Sequence, residues 1–192
     1  VKTVEIVGRE TAYKGWLSFS ILSIRLADGR IMRREVVEHG RAAAVLAYDP
    51  ERCTAMLVRQ LRVPVYLVSG EQVLLEAIAG MIDGGDAPAT ARREALEEAG
   101  LQLGELEQIA EVWPSPGMLT ERISLFLAPY SARDRIAAGG GLAEEHEEIE
   151  VVEMPLAELA SLTDRGQLMD MKTLALVQSL RVRKPHLFEH RP

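Results

Sequence analysis

The run Gly80-Met81-Ile82-Asp83-Gly84-Gly85-Asp86-Ala87-Pro88-Ala89-Thr90-Ala91-Arg92-Arg93-Glu94-Ala95-Leu96-Glu97-Glu98-Ala99-Gly100-Leu101 decides how this chain is read. A glycine-rich turn leads into a segment with helical signals at both ends. Pro88 suits a first helical turn, and Gly100 stands where a left-handed C-terminal cap is wanted. Ala91, Ala95 and Ala99 recur every four residues and form one narrow apolar stripe. Side chains that small let a helix sit close against a sheet. The pattern predicts a helix over 87–99. Glu94 and Glu98, four apart, share one face of it, and Glu97 lies on the flank. Arg93 precedes Glu97 by four residues and is expected to pair with it, which leaves Glu94 and Glu98 for a cation. Carboxylates held so close repel one another, and a hard divalent ion, chiefly magnesium, is the usual partner of an all-oxygen cluster. An arbitrary E-x-x-E-E is more often a solvated acidic face. The glycine turn and the Arg-Glu start favour a metal-binding helix here.

On either side of this helix the pattern is mostly that of strands. Residues 1–40 read as a β-rich arm, with a strand from Phe19 to Leu26, a turn at Asp28-Gly29 and a strand from Arg30 to Val37. Ala42–Tyr48 and Thr54–Gln60 are apolar strands joined by the turn Asp49-Pro50-Glu51-Arg52. Val65–Glu71 reads as a loop or hairpin and Val73–Ile78 as one further strand. Leu106–Val112, Ile123–Leu127 and Glu150–Met154 are strands, Ala137–Gly141 a glycine-rich loop, and Leu156–Leu162 and Met169–Arg183 helices. The polar tail, 184–192, is expected to fray. The domain reading is an arm (1–40), a catalytic domain (41–183) and a tail (184–192).

Composition narrows the class. The chain has 192 residues, 47% hydrophobic, with net charge -7 and one cysteine, Cys53. It is long enough for a sizeable core and too apolar for disorder. The charge and the lack of a basic stripe argue against nucleic acid. A single cysteine excludes an internal disulfide and a cysteine-based zinc site. No apolar run spans a bilayer, and no signal-peptide pattern opens the chain. A soluble, cytoplasmic protein with no membrane partner is expected.

The helix and its turn resemble the Nudix box, G-x5-E-x7-R-E-U-x-E-E-x-G-U, where U is a bulky aliphatic. Gly80, Arg93, Glu94, Glu97, Glu98, Gly100 and Leu101 fit. The spacing from Gly80 to Arg93 is one residue short, the first box glutamate has only Asp86 nearby, and Ala95 stands at the first U. The resemblance implies an α/β fold, an α/β/α sandwich around a mixed sheet. From about Trp16 to Leu180 the chain is most similar to the nucleoside-diphosphate-sugar branch, the GDP-mannose and ADP-ribose pyrophosphatases. Arg33-Arg34-Glu35-Val36, Arg59-Gln60-Leu61-Arg62-Val63, Glu76-Ala77-Ile78-Ala79-Gly80, Ser115-Pro116-Gly117 with Thr120-Glu121, the loop Gly139-Gly140-Gly141 with Glu144-Glu145-His146-Glu147, and Met171-Lys172-Thr173 carry that similarity.

Several expectations come with the resemblance. Metal ligands are Glu94, Glu98, Glu147 and the Ala79 carbonyl. Magnesium is the cofactor, with manganese as a substitute. The general base is Glu145, with Glu97 beside the ligands in a supporting or third-metal role. Substrate contacts are Trp16, Arg33, Arg34, Glu35, Arg62, Gly80, Met81, Glu121 and Lys172. Arg62 is suited to a bidentate diphosphate contact and Trp16 to stacking on a base. The reaction is hydrolysis of a nucleoside-diphosphate sugar to a nucleoside monophosphate and a sugar 1-phosphate. Bound ions neutralise the diphosphate and acidify a water, a glutamate takes its proton, and activity rises from acid to alkaline pH. A homodimer through an exchanged N-terminal arm is implied.

Other readings stay open. Arg33 and Arg34 also suit an edge strand that discourages aggregation, and Trp16 a dimer interface. Trp113 reads as core packing. His146 reads as a solvated loop residue, and His39, His186 and His190 belong to no constellation. Cys53 has no partner base. A ligand-sensing module that has lost turnover is the alternative to an enzyme; retention of Glu94, Glu97 and Glu98 favours the enzyme. A triphosphate-cleaving relative fits poorly with the Ser115-Pro116-Gly117 loop and the long arm.

Overall fold

Strand periodicity and the alanine stripe build the larger part of the molecule. The computed structural model describes residues 3–142 and 148–189. It divides into two units, Val1–Arg41 with Trp113–Ile123, and Ala42–Val112 with Ser124–Pro192.

In the first unit, β1 (Glu5–Lys14), β2 (Ser18–Arg25) and β3 (Ile31–Glu38) form an antiparallel sheet in the order β1-β2-β3. Asp28-Gly29 makes the β2–β3 turn. Gly29 adopts a φ of 86°, which its lack of a Cβ permits. β1 is exposed along almost its whole length. Residues 115–120 lie along β3, with the Val37 amide donating to the Met118 carbonyl and the Thr120 amide to the Val37 carbonyl.

In the second unit, β4 (Arg41–Asp49), β5 (Thr54–Leu61), β6 (Val73–Glu76), β7 (Ile78–Met81), β8 (Glu107–Val112), β9 (Arg122–Pro129) and β10 (Glu150–Pro155) form one mixed seven-stranded sheet. Its main path is β10-β5-β4-β9-β8, with β6 on β5 and β7 on β4. Odd residues of β4 (Ala43, Val45, Ala47) point to one face with Met56, Val58 and Phe126. Against them lies α2 (Ala87–Ala99) through Ala87, Ala91, Ala95 and Ala99. Even residues of β4 point to the other face, where Lys184, just past α4, stands over the Tyr48 ring. Leu156 and Leu159 of α3 (Leu156–Asp164) and Leu176 and Leu180 of α4 (Met171–Arg183) are fully buried. The layers are those of the expected α/β/α sandwich. No helix among the described residues is long and apolar enough to cross a membrane.

Three local expectations change. The segment expected as a loop over 65–71 contains a helix, α1 (Val63–Ser69), opened by Pro64 and closed by Gly70 at φ 78°. None of its residues is buried, so it has no periodic face for a sequence reading to detect. The single strand expected over 73–78 is two strands broken at Ala77, because β6 follows β5 while β7 follows β4. The tail does not fray at once: Pro185–Phe188 form a 3-10 turn that buries Leu187 beside α3 and α4.

Candidate active site

Helix α2 is fixed at both ends before it presents any chemistry. Asp86, the carboxylate nearest the missing box glutamate, accepts a hydrogen bond from the Ala89 amide at 2.7 Å as the N-cap. At the other end Gly100 takes φ 69° and the 139–141 glycines wrap the last turn. Gly140 N donates to the Glu98 carbonyl at 2.9 Å and Gly141 N to that of Glu97 at 3.1 Å. A Cβ on Gly139 would stand 2.4 Å from the Glu98 carbonyl oxygen, so glycine at 139 lets the chain come close enough for the next two amides to reach the orphan carbonyls. Residue 142 therefore leaves from the turn that carries Glu97 and Glu98. Glu144, Glu145, His146 and Glu147 lie outside the described residues, and with them the expected base and one expected metal ligand.

The acidic face meets β7. Glu98 is only 3% exposed, and its Oε2 accepts from the Ala79 amide at 3.2 Å. Glu94 lies on Gly80: a Cβ there would stand 1.8 Å from Glu94 Oε1. Arg93 does more than expected. It reaches Glu97 at 2.6 Å and also Glu94 at 2.5 Å, with a longer contact of 3.4 Å to the Met81 carbonyl. Burial works against the Arg93 charge, but Glu94 and Glu97 outweigh it and hold its pKa above the ordinary value. The expected Arg93–Glu97 pair is present, and the guanidinium fork spans Glu94 as well, so Glu94 is not left wholly to a cation.

These groups fit a hard divalent ion. They are oxygen donors, and the Gly80 surface supplies the clearance that keeps Glu94 in place. Among the described residues no three acidic, histidine or cysteine side chains converge into a metal cage. The set formed by Glu94, Glu98 and the Ala79 carbonyl would need at least one further donor.

Beside this face sits a buried ion cluster. Glu76, 1% exposed, binds Arg62 in bidentate fashion at 2.5 and 2.9 Å and also binds Lys172. Lys172 reaches Asp170 at 3.0 Å as well. Burial acts to raise the Glu76 pKa, but the hydrogen bonds and charges of Arg62 and Lys172 overcome it and hold the carboxyl below its ordinary value. The Glu76 contact, with smaller contributions from Glu98 and Asp170, raises the Arg62 pKa. Arg62 and Lys172, both expected at the substrate, are therefore anchored on a protein carboxylate. Sequence reasoning gave Glu76 no role. Its signal was a lone charge inside the apolar run Val73–Ala79, which demands a partner.

The first unit gathers the remaining candidates in two places. Phe19, Ile21, Val37 and Met118 line a cavity of about 620 Å3, with Arg33, Arg34 and Glu35 in its wall. Arg33 pairs with Glu10 at 2.9 Å, both largely exposed, and such a pair is weak. Separately, Trp16 is 82% exposed and meets His39 edge-on, 4.6 Å between centroids. His39 Nδ1 lies 3.3 Å from Glu121 Oε1 without hydrogen-bond geometry. His39 therefore does belong to a constellation, one assembled across 81 residues by its backbone bonds to Thr120. Trp113 is half-exposed with the Arg122 guanidinium 5.6 Å over its ring, so the core-packing expectation fails: the ring stacks on a cation at the surface.

The family model for the NUDIX domain matches residues 38–174. The chain belongs to the Nudix family. Among curated Nudix relatives, the GDP-mannose pyrophosphatase of Cronobacter sakazakii is 40% identical over 159 residues, 81% of this chain and 82% of that protein. That of Escherichia coli K12 is 38% identical over 156 residues, 80% and 81% of the two chains. A crystal structure titled as an ADP compounds hydrolase superposes with a TM-score of 0.76 at 17% identity, covering 96% of this chain and 97% of the other. At that identity the superposition speaks for the Nudix fold alone.

Proposed function

We propose that the protein is a divalent-metal-dependent pyrophosphohydrolase that cleaves the diphosphate of a nucleoside-diphosphate sugar. GDP-mannose is the first candidate and ADP-ribose the second. The products are a nucleoside monophosphate and a sugar phosphate. The observation that carries this reading is the acid face of α2 seated on β7, in a chain 40% identical to a GDP-mannose pyrophosphatase.

Magnesium is the preferred ion, with manganese able to replace it. Glu94, Glu98 and the Ala79 carbonyl would hold it, with Glu147 as the further donor. When bound, such an ion neutralises the diphosphate and lowers the pKa of a water. The chain's residues do the rest. Glu145 takes the proton of the attacking water. Glu97, tied to Arg93, steadies the Glu94 carboxylate. Gly80 and Met81 line the approach at the end of β7. Arg62, held on Glu76 through Nε and one terminal nitrogen, offers the other edge of its guanidinium to the diphosphate, while Lys172 keeps Glu76 neutralised. Trp16, Arg33, Arg34, Glu35 and Glu121 bind the nucleoside and sugar. The arm of residues 1–40 joins two copies into a homodimer, residues 41–183 form the catalytic domain, and the protein works in the cytoplasm.

The retained carboxylates Glu94, Glu97 and Glu98 weigh against a sensing module without turnover. The test is incubation of purified protein with magnesium and a panel of nucleotide sugars, with products identified by chromatography. Release of monophosphate from at least one sugar nucleotide is expected. Binding without release from any of them would establish the sensing module instead.

A further inference from the structure

The sheet of the second unit splits, and the split strands one buried backbone amide. β4 and β5 pair only through Ala47–Asp49 and Thr54–Met56. Beyond that point β6 runs along β5, ending with Glu76 opposite Val58. β7 runs along β4, with Ile78 opposite Val45. Ala77 is the crossover residue and belongs to neither ladder. It is 1% exposed, and a buried amide without an acceptor is strongly disfavoured. Its N–H donates to Thr173 Oγ1 at 2.6 Å, from a residue 96 positions later in the chain.

Thr173 is itself held. Its hydroxyl donates to Asp170 Oδ2, and its amide donates to the same oxygen at 3.0 Å. Lys172 bridges Asp170 and Glu76, the residue just before the crossover. Two residues past the crossover, Ala79 donates to Glu98. Three past it, Gly80 carries Glu94. The start of α4 thus reaches the carboxylate pair through one short stretch of backbone, buried at Ala77 and Ile78 and partly buried at Ala79 and Gly80.

We propose that Asp170, Lys172 and Thr173 form a positioning clamp that sets β7, and through it Glu94 and Glu98, in the geometry that binds the divalent ion. This rests on the metal-dependent reading above. β7 has four residues and, among the described strands, pairs with β4, so its ladder anchors one edge and ends at Ile78. The clamp supplies the second anchor. None of its three residues need touch the metal. They act through Ala77, Ala79 and Gly80.

The experiment compares Thr173→Val, which keeps the shape and removes the hydroxyl, with Thr173→Ser, which restores it. Manganese is titrated against each variant and against wild type by the rise in melting temperature, and kcat and KM are measured alongside. Thr173→Val is expected to raise the half-saturating manganese concentration about tenfold and to lower kcat by a similar factor, with KM changing less than about threefold. Thr173→Ser is expected to recover most of both losses. A folded Thr173→Val with wild-type manganese response overturns the clamp, as does a Thr173→Ser no better than Thr173→Val. Should Thr173→Val fail to fold, Lys172→Met decides. It leaves the Thr173 bonds in place but unties Asp170 from Glu76, and an unchanged manganese response in that variant overturns the proposal. Wild type that answers manganese yet hydrolyses no nucleotide sugar refutes the proposed activity while the clamp is still tested. Wild type without any manganese response removes both.

Discussion

Glu98 and Gly80 separate chemistry from stability at single residues. Glu98→Gln removes a charge and almost no volume, so turnover should fall by at least ~100-fold while the melting temperature holds, read by steady-state assay and calorimetry. Gly80→Ala does the reverse of a usual core substitution. The new methyl would collide with the Glu94 side chain, and that side chain can swing aside. A stability loss below ~1 kcal/mol is therefore expected, together with a marked loss of manganese response. A variant that unfolds instead would mean Glu94 cannot move. Glu76 gives the pH dependence. Its folded pKa lies below the ordinary 4.5, so its contribution is complete above that value and is lost as pH falls through the folded pKa. Glu76→Gln should cost on the order of 3 kcal/mol at pH 7, since it removes the charge that Arg62 and Lys172 share and leaves Lys172 with Asp170 alone. The gap from wild type should narrow as pH falls below 4.5 and through the folded pKa, in urea denaturation at neutral and acid pH. A gap that stays constant with pH would show that Glu76 is not the titrating partner.

At the scale of elements, helix α2 was legible because each of its signals is local. Pro88, the alanine stripe and Gly100 lie within the helix or next to it, and only the Asp86 cap went unread. Asp86→Ala should cost about 1 kcal/mol by removing that cap, measurable as a lowered denaturation midpoint without change in slope. The carboxylate cluster was readable for the same reason, since helical spacing alone puts Glu94 and Glu98 on one face. Other parts were decided by distant partners. The break at Ala77 follows from the divergence of β4 and β5, and nothing in Val73–Ile78 marks it. The bonds from Thr173 to Ala77 and from Lys172 to Glu76 each close 96 residues of chain. The Trp16–His39–Glu121 contact needs the hairpin tip, the end of β3 and the 115–121 loop to be in place first. Helix α1 was hidden because its valines favour a strand and it buries nothing that would reveal a helical face.

On the molecular scale, the two units expose apolar surface in different places, and this separates two ways of pairing copies. β1 shows Ile6 at 64% and Tyr13 at 59% exposure. A strand so uncovered is exposed to association, in keeping with a dimer joined through the arm. α1 competes for that role, with Leu67 and Val68 more than four-fifths exposed. The two surfaces predict opposite results. If the arm joins the copies, Ile6→Glu with Tyr13→Glu should convert a species of two 21.2 kDa chains into monomers, because each buried charge would lack a partner. Leu67→Glu with Val68→Glu should leave the mass unchanged. Light scattering at several concentrations reads both. Should the α1 pair of charges alone dissociate the species, the interface lies on the catalytic unit and the arm's exposed strand needs another explanation. The arm variant also bears on activity. Trp16 stands at the tip of the same β1–β2 hairpin, so if the neighbouring copy is needed to hold that hairpin, the monomer should show a raised KM with kcat largely retained.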